Sequence, residues 1–211
     1  MSFKELWNRL HVEHGVAAIV GGGHWTEELY TQSGLTDADR IEKLIGGFGE
    51  KRVLEYGCGD GRIAEHVVSR CTSMTCADAS NLILARCKER VPGARHALTD
   101  WPSLLKGKFD CAYAMAVAYH LTDVETLRFI AEMADLLPTG GVLLFDFCNI
   151  FHPSYVDLVR KKATLGDWKT PWPWVAQDGE SLLHSATQAF GYAKGTILDP
   201  DSQQPWIRLV K

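Results

Sequence analysis

Hydrophobic residues form two kinds of pattern that alternate through the middle of the chain. Short, mostly apolar runs bounded by turn residues predict strands at residues 52–56, 73–78, 95–98, 109–117 and 142–147. Between them, apolar residues recur every three or four positions and predict helices at residues 61–70, 81–91 and 122–137. Strands that alternate with helices in this way are typical of βαβ units. The pattern therefore predicts a parallel sheet with helices on both faces.

Two of the predicted helices carry start and stop signals. Thr122 and Glu125 have the spacing of a capping box, in which each side chain accepts a hydrogen bond from the backbone of the other residue. Pro138 and the glycines after it end that helix. An earlier helix is expected to be capped by residues 36–39 and to stop at residues 46–47, which are both glycine.

The C-terminal part of the chain departs from this alternation. A last helix at residues 180–189 leads to two strand-like segments, 192–198 and 206–210, joined by a turn sequence at 199–202. Two strands joined in this way are expected to pair antiparallel as a hairpin. The whole pattern predicts a three-layer α/β sandwich, in which a seven-stranded, mostly parallel sheet ends in this antiparallel C-terminal hairpin.

Length, composition and charge narrow the class of protein. The 211 residues are 46% hydrophobic and 23% charged, which is close to the average of a single globular domain. With 22 basic and 26 acidic residues, the net charge of −4 argues against a protein that coats nucleic acid. No apolar run reaches the roughly 18 residues of a membrane span, and the N-terminal residues lack the pattern of a signal peptide. The six cysteines include no C-x-x-C pair, so we expect a cytoplasmic protein with buried, reduced thiols.

A glycine-rich loop, Glu-Tyr-Gly-Cys-Gly-Asp-Gly-Arg at residues 55–62, connects the first predicted strand to the first helix after it. Glycines at this place allow a tight turn and let a ligand approach the backbone closely. A dinucleotide-binding loop of the form G-x-G-x-x-G would need a glycine at the position of Arg62. Glu55 and Asp60 also disfavour a bound pyrophosphate. The loop therefore fits a cationic ligand without phosphate better.

This loop resembles the first motif of the class I S-adenosylmethionine-dependent methyltransferases, and further resemblances follow it at the expected spacing. Asp78, at the end of the second predicted strand, is similar to the acidic residue that holds the ribose hydroxyls of the cofactor. Asp100 and Trp101 resemble the pair of residues that contact adenine. Residues 109–121 are similar to the fourth-strand signature F-D-x-V-x-S-x-x-V-x-x-H-L, and residues 137–141 to the loop before the fifth strand.

The resemblance implies a Rossmann-like fold and S-adenosyl-L-methionine as the cofactor. It implies His120, at the edge of the fourth strand, as the candidate catalytic base that faces the methyl acceptor. The chain departs from the family pattern at Ala114 and Ala116, where small polar or glycine residues are usual and only the backbone can contribute here. The implied cofactor-binding residues are Glu55, Gly57, Gly59, Asp60, Gly61, Asp78, Ala79, Leu82, Asp100, Trp101 and Met115.

One domain of four segments is then expected. They are an N-terminal cap or flap (residues 1–35), a cofactor-binding core (36–148), an insertion or lid (149–178), and the last helix with its hairpin (179–211). Acceptor specificity is expected in the first and third segments. Glycines 21–23 form either a hinged flap or a loose terminus, and residues 168–174, rich in tryptophan and proline, form either a wall over the acceptor or a packed lid. His24 and His152 are weaker candidates for a catalytic role.

The predicted function is methyl transfer from S-adenosylmethionine to an oxygen, nitrogen or sulfur atom of a small-molecule acceptor. No metal is expected, because Asp146, Asn149 and His152 form only a loose cluster. Nucleic acid is disfavoured as the acceptor, since residues 114–117 replace the N/D/S-P-P-Y/F signature of amino-methylating enzymes and no Pro-Cys dipeptide is present. Four alternatives stay open: a protein methyltransferase, an RNA methyltransferase, a nicotinamide oxidoreductase, and a non-catalytic partner subunit that binds the cofactor.

Purely structural roles are the alternative for three of the candidate residues. Asp78 is also in a position to cap the helix that follows it. Trp101 is also compatible with a place in the core. His120 is also compatible with hydrogen bonds to neighbouring backbone and no part in catalysis.

Overall fold

The structure, a computed structural model, describes residues 3–14, 25–157 and 176–211. Short 3-10 turns at Val68–Arg70, Pro102–Leu104 and Ala118–His120 lie between its main elements. In chain order those elements are α1 (Phe3–His14), α2 (Glu27–Ile45), β1 (Arg52–Tyr56), α3 (Ala64–Val67), β2 (Ser73–Asp78), α4 (Asn81–Arg90), β3 (Arg95–Leu98), β4 (Cys111–Ala114), α5 (Asp123–Leu136), β5 (Val142–Asp146), β6 (Cys148–Asn149), β7 (Ala176–Gln177), α6 (Gly179–Ala189), β8 (Lys194–Leu198) and β9 (Trp206–Val210).

Seven strands form one sheet in the order β3-β2-β1-β4-β5-β9-β8. The five strands from β3 to β5 in this order are parallel, and β9 runs antiparallel to both β5 and β8. This confirms the predicted seven-stranded sheet with its C-terminal hairpin. The strand order reverses between β1 and β4, so a crevice opens at the carboxyl ends of these two strands. A separate pair, β6 and β7, lies outside the main sheet.

Two apolar clusters cover the two faces of the sheet. Leu54 on β1 packs in the cluster formed with α5 and α6, whereas Val53, its neighbour in the strand, packs in the cluster formed with α2, α3 and α4. Neighbouring residues of a strand point to opposite faces. The sheet is therefore the middle of three layers, as predicted, and successive side chains of β1 alternate between its two faces.

The observed bounds of the helices and strands agree best with the predicted bounds where the sequence carries strong local signals. The bounds of β1, β2 and β3 are as predicted, and Thr122 caps α5 in a complete capping box with Glu125. Other elements are shorter than predicted: the helix at 61–70 reduces to α3 and a 3-10 turn, and the strand at 109–117 to β4. The strand predicted at residues 192–198 begins at Lys194.

The predicted start of the helix before β1 was wrong. Thr26, rather than residues 36–39, caps α2, and its hydroxyl accepts a hydrogen bond from the backbone N–H of Leu29 at 3.2 Å. Thr36 lies inside the helix and donates to the carbonyl of Gln32 at 2.9 Å. The expected end is confirmed, because the helix stops at Gly46 in the left-handed conformation.

Several expectations concern residues outside the described part of the chain. Residues 21–23, His24 and residues 168–174 all lie there, so their proposed roles as flap, candidate base and wall are untested. Within the described residues, no helix is long and apolar enough to cross a membrane. The six cysteines are all free, and Cys71 alone among them is not fully buried.

Candidate active site

A cavity lies at the carboxyl ends of the parallel strands, where the strand order reverses; we call it the switch-point cavity. Its wall is formed by the loops after β1, β2, β3 and β4, together with residues of α1, α4 and α5. Most of the lining is apolar, including Trp7, Ile83, Val117 and Phe129. A few polar groups converge on this lining, which is the usual construction of a small-ligand site.

Seven of the eleven predicted cofactor residues line this cavity, and so does His120. The other four, described below, are not part of the lining. The seven come from four separate loops, which the sheet brings together at one edge. They are Gly57, Gly59, Asp78, Ala79, Asp100, Trp101 and Met115.

The glycine loop turns back against the end of β2. The backbone N–H groups of Gly57 and Cys58 donate to the carbonyl of Ala77 at 2.7 and 3.0 Å. Gly57 has a φ of 75°, and a Cβ added there would lie 2.3 Å from a methyl carbon of Val117. Because no larger residue fits this position, the backbone itself forms the wall of the cavity.

Asp78 connects two loops of the cavity. Its carboxylate accepts hydrogen bonds from the backbone N–H of Gly59 at 2.9 Å and of Ser80 at 2.8 Å. Burial raises the pKa of Asp78 to about 6, so this carboxyl group is mostly ionised at neutral pH. Ser80, rather than Asp78, caps α4 by accepting from the N–H of Ile83. The carboxylate keeps lone pairs for a ligand, since an ionised carboxylate accepts about four hydrogen bonds.

The loop after β3 presents a tryptophan with one face already covered. The guanidinium carbon of Arg128 lies 3.8 Å from the centre of the Trp101 ring, a cation–π contact. Thr99 donates its hydroxyl hydrogen to the carbonyl of Trp101 at 2.7 Å, and Tyr56 donates to the carbonyl of Asp100 at 2.8 Å. These contacts hold Trp101 as part of the cavity wall and not as a core residue.

Ala116 has a φ of 61°, which is unfavourable for a residue other than glycine. Its N–H donates at 2.7 Å to the carboxyl group of Asp146, a side chain that is fully buried at the end of β5. Burial raises the pKa of Asp146 to about 7. This bond stabilises the strained turn between β4 and the 3-10 segment that carries His120. One sequence signal points to this turn, because Ala116 stands where the family that the chain resembles usually has a small polar or glycine residue.

His120 lies in the 3-10 turn after β4, on the lining of the cavity. Its ring meets the ring of Trp7 edge-on, with the ring centres 4.8 Å apart, and that of Tyr119 at 4.6 Å. The backbone N–H of His120 donates to the carbonyl of Val117. The imidazole is therefore held between two aromatic rings beside the cavity, where a methyl acceptor would have access to it.

Helix α1 reaches the cavity from the N-terminal segment, and the sequence pattern did not single out its residues. Trp7 lines the cavity beside His120. The amide of Asn8 connects α1 to the start of α4: it accepts from the hydroxyl of Ser80 at 2.6 Å and donates to Asn81 at 2.9 Å. These contacts dock the helix onto the loop after β2.

Glu55 and Asp60 lie behind the glycine loop. Glu55 is on the same face of β1 as Val53, away from the cavity, and accepts from the hydroxyl of Tyr113 at 3.1 Å. Burial raises the pKa of Glu55 well above its usual range. Asp60 accepts from the hydroxyl of Tyr30 at 2.7 Å and lies 3.4 Å from the guanidinium of Arg90.

The other two predicted residues outside the lining are Gly61 and Leu82. Gly61 lies where α3 approaches α4, and a Cβ there would lie 3.0 Å from the sulfur of Cys87. Leu82 is 40% exposed. A direct cofactor contact for these four residues stays a prediction.

Comparison with known proteins agrees with this site. Residues 53–141 match the family model described as a methyltransferase domain. Among curated proteins, the chain is 27% identical over 123 residues to a ubiquinone biosynthesis O-methyltransferase of Nitrosomonas europaea, covering 55% of this chain and 52% of that protein. It is 29% identical over 170 residues to the protein of the same name from Dinoroseobacter shibae, covering 72% and 66%. The chain thus spans about half to two thirds of the length of these relatives.

Solved structures share the fold over nearly the full length. Magnesium protoporphyrin IX methyltransferase from Synechocystis PCC 6803, with bound SAH, has a TM-score of 0.72 at 15% identity, with 99% of this chain and 97% of that chain covered. N-methyltransferase NodS from Bradyrhizobium japonicum WM9, in complex with S-adenosyl-L-homocysteine, has a TM-score of 0.65 at 19% identity, with 99% and 97% covered. The match thus identifies a methyltransferase domain at residues 53–141, and the chain as a whole has the Rossmann-like fold of these S-adenosylmethionine-dependent methyltransferases.

Proposed function

We propose that the chain transfers the methyl group of S-adenosylmethionine to an oxygen, nitrogen or sulfur atom of a small-molecule acceptor. The observation that carries the proposal is the switch-point cavity. It brings the backbone of the glycine loop, the carboxylate of Asp78, the ring of Trp101 and the imidazole of His120 to one place. When bound, the cofactor supplies an activated methyl group that a nucleophile displaces, so the protein has to align the two reactants and exclude water.

The residues of the cavity fit this cofactor. Asp78 has lone pairs free for hydroxyl groups, and the missing side chain at Gly57 leaves backbone exposed for close approach. Asp100 and Trp101 line the same cavity and would offer a purine an acceptor for its amino group and a flat apolar surface. A nicotinamide dinucleotide fits less well, because Arg62 occupies the third glycine position and is bonded to Asp37 at 2.7 Å.

His120 is the proposed general base. It would take the proton from the acceptor atom as that atom attacks the methyl group, a contribution of roughly 10²–10⁴ in rate. Histidine suits the task because its charge changes closest to physiological pH. Trp7 and Tyr119, which enclose the imidazole edge-on, fix the orientation of the ring.

A small acceptor is favoured over a macromolecular one. The lining near His120 is apolar and enclosed by α1, and the chain has no surplus of basic residues. The names of several relatives point to small molecules, including a trans-aconitate 2-methyltransferase of Variovorax paradoxus that is 30% identical over 125 residues. We place the activity in the cytoplasm, since six free cysteines favour a reducing compartment.

The test is a methyl-transfer assay with labelled S-adenosylmethionine and a panel of phenols, carboxylic acids, amines and thiols. We expect His120→Ala to lower turnover by roughly tenfold or more and to leave cofactor affinity nearly unchanged. His184→Ala is the matched control, because His184 is exposed on α6, away from the cavity. Equal losses of turnover and cofactor affinity in His120→Ala would assign His120 a structural role. No transfer to any acceptor class, despite cofactor binding, would favour the partner subunit.

A further inference from the structure

Three cysteines converge behind the glycine loop. Cys58 belongs to the loop itself, Cys76 to β2 and Cys87 to α4, and all three are buried. Their sulfur atoms all lie within 4.8 Å of one another, and those of Cys58 and Cys87 are 3.8 Å apart. None of the three lines the switch-point cavity, so the cluster is a second site on the other side of the loop.

A histidine lies beside the three cysteines. His96 on β3 is the register partner of Cys76 on β2, and its imidazole lies near Cys87. The Nε2 atom of His96 is buried and has no hydrogen-bond partner among the described residues. A buried ring nitrogen without a partner is costly and rare in folded proteins, which indicates that a ligand satisfies it.

The distances fit a tetrahedral metal site. A zinc ion binds thiolate sulfur at about 2.3 Å, so two sulfur ligands of a tetrahedron are about 3.8 Å apart. The separation of the Cys58 and Cys87 sulfurs matches this value, and Cys76 lies within a small adjustment of it. Three sulfur ligands and one nitrogen ligand are a known structural zinc set, and soft donors of this kind select against magnesium or calcium.

We propose that this group is a structural zinc site whose ligands are Cys58, Cys76, Cys87 and His96. The metal would tie the glycine loop to β2, β3 and α4, and so fix the wall of the cavity from behind. The sequence predicted no metal, because it showed only the loose cluster of Asp146, Asn149 and His152. The four residues proposed here are distant along the chain, and only the βαβ fold brings them together. The site does not depend on the proposed catalytic function.

The first test uses the full chain, purified under reducing conditions, with its affinity tag removed. We expect about one zinc per chain by elemental analysis. We also expect cobalt added to the metal-free protein to give thiolate-to-metal charge-transfer absorption and the visible bands of a tetrahedral ion. The absence of both signals in the wild-type chain would overturn the proposal without any variant. Formation of a Cys58–Cys87 disulfide on removal of reductant, with no metal bound, would also overturn it.

Matched variants locate the site. Cys76→Ala and Cys111→Ala make the same truncation at two fully buried strand positions, and Cys111 is outside the cluster. We expect Cys76→Ala to lose stoichiometric metal and Cys111→Ala to keep it, while His96→Ala weakens cobalt affinity by roughly tenfold or more. Equal metal content in both cysteine variants would refute the assignment. If Cys76→Ala does not fold, the cobalt spectra of His96→Ala and of the wild type are compared instead. An unchanged spectrum in His96→Ala would exclude His96 as the fourth ligand.

Discussion

Replacing Asp78 by asparagine is the sharpest test of how the cavity holds its cofactor. The change keeps the size of the side chain and removes its charge. In the wild-type chain both carboxylate oxygens accept from backbone N–H groups, those of Gly59 and Ser80. Asparagine has one acceptor oxygen and one NH₂ group, so one of these N–H groups would face another donor. The variant is therefore expected to lose a loop contact and the acceptor that we propose for the ribose hydroxyls.

The size of the effect follows from these lost contacts. Leaving a buried polar group unsatisfied costs about 1–3 kcal/mol. This cost corresponds to a roughly 5- to 150-fold increase in the dissociation constant for S-adenosylmethionine. The pH dependence gives an independent check. Hydroxyl donors favour the ionised form of Asp78, and its pKa is raised to about 6 by burial. Wild-type affinity should therefore fall about tenfold as the pH is lowered from about 7.5 to about 5, and the variant should lack this step.

Isothermal titration of both proteins with S-adenosylmethionine at the two pH values measures both effects. Asp201→Asn, an exposed change in the turn between β8 and β9, serves as the control and should bind like the wild type. Thermal unfolding of each protein shows whether the fold is kept. If Asp78→Asn binds as tightly as the wild type at neutral pH, Asp78 does not hold the ribose. A step in the wild-type profile that persists in the variant would assign the titration to another group.

Two further predictions concern the walls of the cavity. Burial raises the pKa of Asp146 to about 7, whereas an aspartate in the unfolded chain titrates near pH 4. Between these pH values the folded chain keeps a proton that the unfolded chain releases. The free energy of unfolding should therefore fall as the pH rises from about 4 to about 7. Asp146→Asn keeps the acceptor for the N–H of Ala116 and should flatten this slope in thermal unfolding between about pH 5 and 8, whereas an unchanged slope would contradict the assignment. Gly57→Ala should lose stability and cofactor binding through both backbone strain and the clash with Val117. Gly140→Ala, which has open space around it at a φ of 81°, should cost only the strain of about 1–2 kcal/mol and leave binding intact; equal losses in the two variants would exclude the clash.

Local signals account for the parts of the fold that the sequence predicted. The first two strands are short, mostly apolar runs closed by turn residues, and the capping box of Thr122 and Glu125 sets the start of α5 by two reciprocal hydrogen bonds. Helix α2 shows the limit of such signals. Thr36 has the composition of a cap, but its hydroxyl bonds to the preceding turn, and the chain continues as helix through Gly34 because that glycine packs against the backbone of Arg62.

The site was predictable to the extent that its residues follow strands. Gly57, Asp78 and Asp100 each follow a strand end, and the carboxyl ends of parallel strands meet at one edge of a sheet. The direction of Glu55 follows from strand alternation, which the motif alone does not show. The bond between Asp146 and Ala116 and the cysteine–histidine group join residues distant along the chain, so only the tertiary structure reveals them.

The central claim is that the switch-point cavity binds S-adenosylmethionine. Isothermal titration of the wild-type chain with S-adenosylmethionine and with S-adenosylhomocysteine, with NAD as the control, tests it most directly. We expect about one site per chain, with roughly micromolar affinity for both sulfur ligands and no binding of NAD. No binding of either sulfur ligand, or binding of NAD in their place, would contradict it.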